Sequence, residues 1–295
     1  MVKLKPYKDD VYLWEYVPSL VASMIFVFCY LIVTFVVIIR MFRSQSWFST
    51  PFTIGGILEV IGFGARAVCH FRTDLLSPYA AQSVLILVAP ALFAASIYMT
   101  LHRLMIVLRA EHHSIIRASW LTKIFVTGDI LSFLIQSCGA SLITNEDFDR
   151  DIAKWIIFVG LIVQVAIYGL FVIATVLLHV RLRHEPTEVT LSSRDTRWLQ
   201  TLKMIYTVSV FILARSAFRI VEYLMGPPDS YLFQHEWPLY VFDGELMLLT
   251  MAVYAWWYPG YLKAKTKQSG FSVSRWVVYS LSRRSGNFPS TPSIQ

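Results

Sequence analysis

Charge is what this chain has least of. Only 15% of its 295 residues are Asp, Glu, Lys or Arg, while 56% are hydrophobic; a soluble domain carries about a quarter of its residues as charges. The chemistry-bearing motifs are missing as well. There is no Gly-x-Ser-x-Gly elbow, no phosphate-cradling loop and no His-x-x-x-His pair, which argues against a serine hydrolase, an ATPase and a zinc enzyme. His70 and His235 fall near one surface, and His102, His112, His113, His179 and His184 near the other, so the histidines do not converge as a zinc set would. No cofactor is expected, and the chain reads as a non-enzyme. Without a nucleotide site, any transport is uncoupled, ion-driven or auxiliary to another protein.

Cysteine is scarce too. Cys29, Cys69 and Cys138 have no metal-type spacing. Cys69 and Cys138 both fall toward the same side, where a disulfide is conceivable, and free buried thiols are the favoured reading. No Asn-x-Ser/Thr sequon is present, so no N-glycan is expected. A cleavable signal is not expected either: the first apolar run is long, follows a 16-residue arm with six charged residues, and ends without a small-residue cleavage site.

The apolar residues are gathered into seven runs, at 17–39, 52–71, 79–108, 121–143, 154–180, 203–224 and 238–258. Each reaches or exceeds the roughly 20 residues that cross a bilayer core as helix. The connections are too short for a globular domain. The fold class is therefore all-α: a polytopic membrane protein of seven transmembrane helices. It divides into a short arm (1–16), a membrane domain (17–260) and a basic tail (261–295). Tryptophan supports the count independently. Trp14, Trp47, Trp120, Trp155, Trp198, Trp237, Trp256, Trp257 and Trp276 all fall at or beyond run ends, as an interfacial aromatic belt requires.

Basic residues set the expected orientation. Segments 40–51, 103–123, 181–203 and 259–295 hold 17 Lys and Arg against four acids, whereas 1–16, 72–78, 144–154 and 225–237 hold six against ten. The positive-inside rule places the first set in the cytosol, hence the N-terminus outside and the C-terminus cytosolic. Lys3, Lys5 and Lys8 are a mild counter-signal. The net charge of +7 is thus topology and a basic face toward anionic lipid, not a nucleic-acid footprint. In the tail, "SVSRWVVYSLSRR" reads either as a surface-lying amphipathic segment or as an ordinary basic tail, and "SGNFPSTPSIQ" reads as disordered.

Eight ionisable residues remain inside the runs: Glu59, Arg66, Asp129, Arg215, Arg219, Glu222, Asp243 and Glu245. Each costs roughly 2.5–3.5 kcal/mol on an insertion scale if central and alone. Their spacing argues for company. At 100° per residue, Arg215, Arg219 and Glu222 lie within about 60° of one another. Glu59 and Arg66 are seven apart, as are Asp129 and Gln136, so each pair shares a face. Asp243 and Glu245 are about 200° apart, so one of them faces inward, and Asp243 is favoured. An interior polar cavity biased outward is expected, with Glu59, Asp129 and Asp243 as partners of the helix-6 charges. The lattice reads as a ligand-binding site built from Glu59, Arg66, Asp129, Gln136, Arg215, Arg219, Glu222 and Asp243, or as structural glue that fixes helix register. Pro90 falls mid-run among small residues and must remove one backbone hydrogen bond; it reads as a packing kink or a hinge.

Six stretches carry a resemblance: "YVPS", "EVIGFGAR" (59–66), "Q…APALFAASIYM" (82–99), "FVTGDILSFLIQSCG" (125–139), "RSAFRIVE" (215–222) and "HEWPLYVFD" (235–243). In this order they resemble the fungal lipid-translocating exporters, related to proteins conferring resistance to aminocholesterol. Phe63 stands where tyrosine is commoner in that family, and His102 where glycine is. The resemblance implies a seven-helix plasma-membrane or endomembrane protein tied to lipid asymmetry. It also implies export of sphingoid long-chain bases, tolerance of toxic lipids and drugs, and in one branch porphyrin movement. The expected partner is an amphipathic lipid or xenobiotic, with protein partners unknown. The alternative function is a seven-helix sensor or regulator without transport of its own.

Overall fold

The protein was analysed as a computed structural model, in which residues 18–73, 75–108, 110, 118–143, 149–185, 197–224 and 236–262 are described. Those residues form α1 (Leu20–Ser44), α2 (Thr50–Phe71), α3 (Leu76–Leu108), α4 (Ala118–Ile143), α5 (Arg150–His184), α6 (Arg197–Leu224) and α7 (Leu239–Trp256). All seven are long and apolar enough to cross a membrane. The third inter-helix segment on the basic side, the His112–His113 pair, His235 and the tail after residue 262 lie outside the described residues.

Helix ends follow local capping chemistry. Ser19 opens α1 with its hydroxyl accepting from the Ala22 amide at 3.4 Å, and Asp149 opens α5 by accepting from Asp151 at 3.0 Å. Gln45, at φ 50°, closes α1 in the left-handed region. A short 3-10 turn, Trp47–Ser49, leads into α2, whose first turn holds Pro51, where the missing amide has no intrahelical partner to lose. Several helices outrun their apolar stretches: α1 continues through Arg40 and Arg43 to Ser44, and α5 starts at Arg150 and runs to His184. Hydropathy marks the thickness of hydrocarbon, whereas caps mark where the hydrogen-bond ladder stops.

α3 is the hub. It packs on α2, α4 and α6, and its buried residues run round all sides, as expected of a helix that is apolar all round. The remaining helices close a ring, α1 on α2 and α7, α4 on α5, α5 on α6 and α6 on α7. α1 turns most of its surface outward, including Val21, Ile25, Phe28 and Phe35. Small residues let backbones approach. A side chain at Gly55 would collide with the Phe93 ring at 2.7 Å, and one at Gly139 with the Ala153 carbonyl at 3.0 Å. Aromatic stacks fill the interior: Phe26, Tyr30, Phe63 and Tyr240 join α1, α2 and α7, while Tyr98, Phe125, Tyr168 and Phe171 join α3, α4 and α5.

Trp47, Trp120, Trp155, Trp237 and Trp256 are exposed near helix ends. Cys29, Cys69 and Cys138 are all free thiols, Cys69 buried and Cys138 on the outer surface of α4.

Candidate functional site

Three polar assemblies cross the bundle interior. The first lies at the end that holds Ser19. Arg66 of α2 is fully buried; its Nη2 meets Glu236 Oε1 at 2.7 Å, its Nε donates to the Tyr240 hydroxyl at 3.1 Å, and its Nη1 reaches Gln82 of α3 at 3.4 Å. Glu236 also accepts the Ser19 amide at 2.8 and 3.0 Å and the Tyr240 hydroxyl at 3.1 Å. A carboxylate at the N-terminus of α1 is favoured by that helix's dipole. The guanidinium thus ties α2, α3 and α7 together, and Glu236 extends the tie to α1.

The second assembly sits one or two turns further into the bundle. Asp243 of α7 is 2% exposed and takes both helix-6 arginines. Arg215 Nε approaches Asp243 Oδ1 at 3.0 Å, as a charge contact rather than an aligned hydrogen bond, and Arg219 bonds Asp243 Oδ2. Arg219 also pairs with Glu222 at 3.1 Å, one turn along α6. The start of α7, Leu239–Glu245, is a π-helical turn that buries Tyr240, Asp243 and Gly244 and leaves Glu245 exposed. Such wide turns occur often at functional positions. A side chain at Gly244 would meet the Phe26 ring at 2.8 Å, and the Gly244 carbonyl accepts the Tyr30 hydroxyl at 2.7 Å. Glycine there lets α1 and α7 touch.

Arg215 has one further contact that explains Pro90. Proline at 90 cannot donate to the carbonyl of Ile86, four residues earlier. Arg215 Nη2 donates to that carbonyl at 3.1 Å. The acceptor left over by the proline in α3 is satisfied by the charged residue of α6.

Glu59 is the exception in this region. It is fully buried, and neither carboxyl oxygen has a hydrogen-bond partner among the described residues. It lies within Coulomb range of Arg215, Asp243 and Arg219 but bonds to none of them.

The third assembly stands apart, between α3, α4, α5 and α6. Asp129 Oδ2 accepts the Tyr98 hydroxyl at 2.9 Å, while its other oxygen is unpartnered. Gln136, two turns along α4, donates to Gln164 of α5 at 2.9 Å, and Tyr168 donates to Ser209 of α6 at 3.2 Å. No arginine takes part in these bonds.

The sequence-based pairing is therefore redrawn. Asp243 is the common partner of Arg215 and Arg219, but Asp129 faces Tyr98 and not the helix-6 arginines, because α4 packs on α3 and α5 rather than on α6. Glu59 and Arg66 share a face of α2 yet belong to different assemblies. Sequence reasoning missed Glu236, which lies just outside the apolar run and counts there as a loop acid; its signal was its place inside "HEWPLYVFD". It also missed the neutral donors Tyr30, Gln82, Tyr98 and Tyr240, whose types carry no charge to flag them. At the far end, between α1, α6 and α7, a cavity of about 410 Å³ is lined by Ser44, Arg197, Thr201, Trp257, Tyr258 and Tyr261; it does not touch the charge lattice. Among the described residues no three His, Cys, Asp or Glu side chains gather as a metal site.

A seven-helix, all-α membrane protein with arginine–carboxylate pairs in its interior is the class these features define. The profile of the family described as RTA1 like protein matches residues 52–266, and the chain belongs to that family. Protein RTA1 of Saccharomyces cerevisiae is 32% identical over 277 residues, covering 85% of this chain and 86% of that protein. Protoporphyrin uptake protein 1 of the same yeast is 36% identical over 205 residues (70% and 66%). Sphingoid long-chain base transporter RSB1 of Saccharomyces cerevisiae is 24% identical over 257 residues (76% and 67%). No solved structure matches the chain. Together these make it a fungal-type multi-pass membrane protein of a family with transporters among its members.

Proposed function

We propose that this protein translocates amphipathic lipids or lipid-like toxic compounds of the sphingoid-base type across a membrane, with the plasma membrane as its first location. In this reading the N-terminus is outside and the basic face meets the anionic cytosolic leaflet. The single observation that carries it is the Asp243–Arg215–Arg219–Glu222 lattice with Glu59 beside it, buried and unbonded. Ionisable groups inside a membrane are expensive, and where they persist they mark substrate or ion pathways. The names of two relatives, a sphingoid long-chain base transporter and a protoporphyrin uptake protein, favour amphipathic cargo.

Chemically, a long-chain base presents an ammonium head with three donors on an apolar tail. Glu59, Glu222 and Asp243 accept the head, and the arginines exchange partners as it passes. Arg66 closes the Ser19 end, and Asp129 and Gln136 hold α4 in register against α3 and α5. The site uses no bond-making step. The tail slides against exposed apolar helix surface while the head is held by charge.

Purified protein in liposomes tests this. A fluorescent sphingoid base crosses the bilayer faster with the protein than without it, and Glu222→Ala removes the difference while leaving the protein folded. Wild-type flux in that variant removes Glu222 from the path. Binding of the base with no movement replaces the translocator with a sensor, a reading favoured by how fully the Ser19-end assembly is bonded.

A further inference from the structure

The charges around Asp243 add to zero without Glu59. Arg215 and Arg219 bring two positive charges, and Asp243 and Glu222 bring two negative ones, all engaged in the pairs already described. Glu59 is the odd carboxyl, and an ionised carboxylate there would leave one net negative charge buried in hydrocarbon. An unpaired, desolvated charge of that kind is the least tolerable group in a protein interior.

Its surroundings offer no other remedy. From α1 the titratable neighbour is Tyr30, whose hydroxyl is already given to the Gly244 carbonyl. From α6 come Arg215 and Arg219, and from α7 Asp243, all within Coulomb range and all paired. On α3, the stretch Ile86–Phe93 that packs on this part of α2 has no titratable side chain. Among the described residues, no backbone or side-chain donor bonds either Glu59 oxygen.

We propose that Glu59 is a proton–cation exchange site: its buried carboxyl holds a proton when the lattice is empty and releases it when a monovalent organic cation docks there. The step balances. The carboxyl O–H bond breaks, the proton passes to water on the side from which the head arrives, and the carboxylate left behind pairs with the incoming cation. The charge of the assembly is zero before and after. Release of the cation on the other side requires a proton from that side, so net movement is an antiport of one proton against one cation. This inference rests on the translocator reading, to which it adds a driving force. It separates Glu59 from Asp129, whose one bonded oxygen and distance from the arginines place it in another assembly.

The test uses the full-length protein in lipid nanodiscs and N,N,N-trimethylsphingosine, a permanently charged probe that cannot itself exchange protons. Infrared difference spectra and proton release into weak buffer are recorded as the probe is added. Wild type is expected to lose a protonated-carboxyl C=O band and to release about one proton per bound probe, by linkage between the two ligands. Glu59→Gln gives neither signal and binds the probe more weakly, Glu59→Asp keeps both, and Asp129→Asn keeps both. An unchanged band and unchanged release in Glu59→Gln overturn the inference, as does wild-type binding with no release. If wild type does not bind the probe at all, the cationic-cargo reading itself fails, and the exchange falls with it.

Discussion

The α6–α7 side of the bundle and the α4–α5 side both bury polar groups in the bilayer, and they satisfy them by different means. On the first, Asp243 faces two guanidinium groups and Glu236 a third. On the second, Asp129 has one phenol and Gln136 has one amide. Charge pairs are strong and long-ranged, and breaking one leaves an uncompensated ion. Neutral donors are weaker and directional, and losing one leaves only an unsatisfied acceptor. The first arrangement suits a region where partners must exchange; the second suits one that holds helices in register.

The sharpest way to break this contrast is Asp243→Ala. It removes the carboxylate that Arg215 and Arg219 both contact, and removing one partner of a buried pair costs about 3–5 kcal/mol. Thermal unfolding in detergent should show the loss. Arg215→Leu combined with Asp243→Leu should recover much of it, because two apolar groups replace a desolvated pair, yet transport should stay absent. Full flux in the recovered double variant would make the lattice structural only.

How much of this was legible beforehand depends on which physical signal each residue carries. The seven spans were readable because bilayer thickness imposes a length on apolar runs, and Arg215, Arg219 and Glu222 shared a face because helical spacing is regular. The same arithmetic put only one of Asp243 and Glu245 inward without deciding which, and the helix begins with a π-helical turn that no spacing rule anticipates. What spacing along one chain cannot give is which helix neighbours which. Asp129 was matched with the wrong helix for that reason: with α3 as hub, α4 meets Tyr98 before it could meet α6. Glu236 was invisible for a different reason, since a carboxylate at the edge of an apolar run looks like any loop acid until the partner Arg66 is placed opposite it.

The neutral side gives the next effect down. Tyr98→Phe removes the hydroxyl that Asp129 accepts and leaves no bond to either oxygen of that carboxyl. A buried acceptor stranded in this way costs about 1–3 kcal/mol, below the range expected for Asp243→Ala. Unfolding of the variant should shift accordingly, with flux through the protein reduced no more than its folded fraction. A flux loss beyond that fraction would move the α4–α5 side into the transport path and erase the distinction between the two halves.

Pro90 gives the smallest expected effect, and it tests how the halves are joined. The proline withholds the amide that would normally bond Ile86, and Arg215 uses the freed carbonyl, so a backbone defect in α3 becomes a foothold for the charged face of α6. Pro90→Ala returns a donor to that carbonyl. A carbonyl oxygen accepts two bonds, so Arg215 need not be expelled, but the new amide competes for the oxygen and the contact weakens. The variant should therefore be more stable by about 1 kcal/mol, the net worth of the helix hydrogen bond regained, while flux falls. Stability and activity moving in opposite directions is the signature of a proline kept for its consequence at Arg215. If both rise together, the proline serves packing alone, and the charged face does not depend on α3 for its placement.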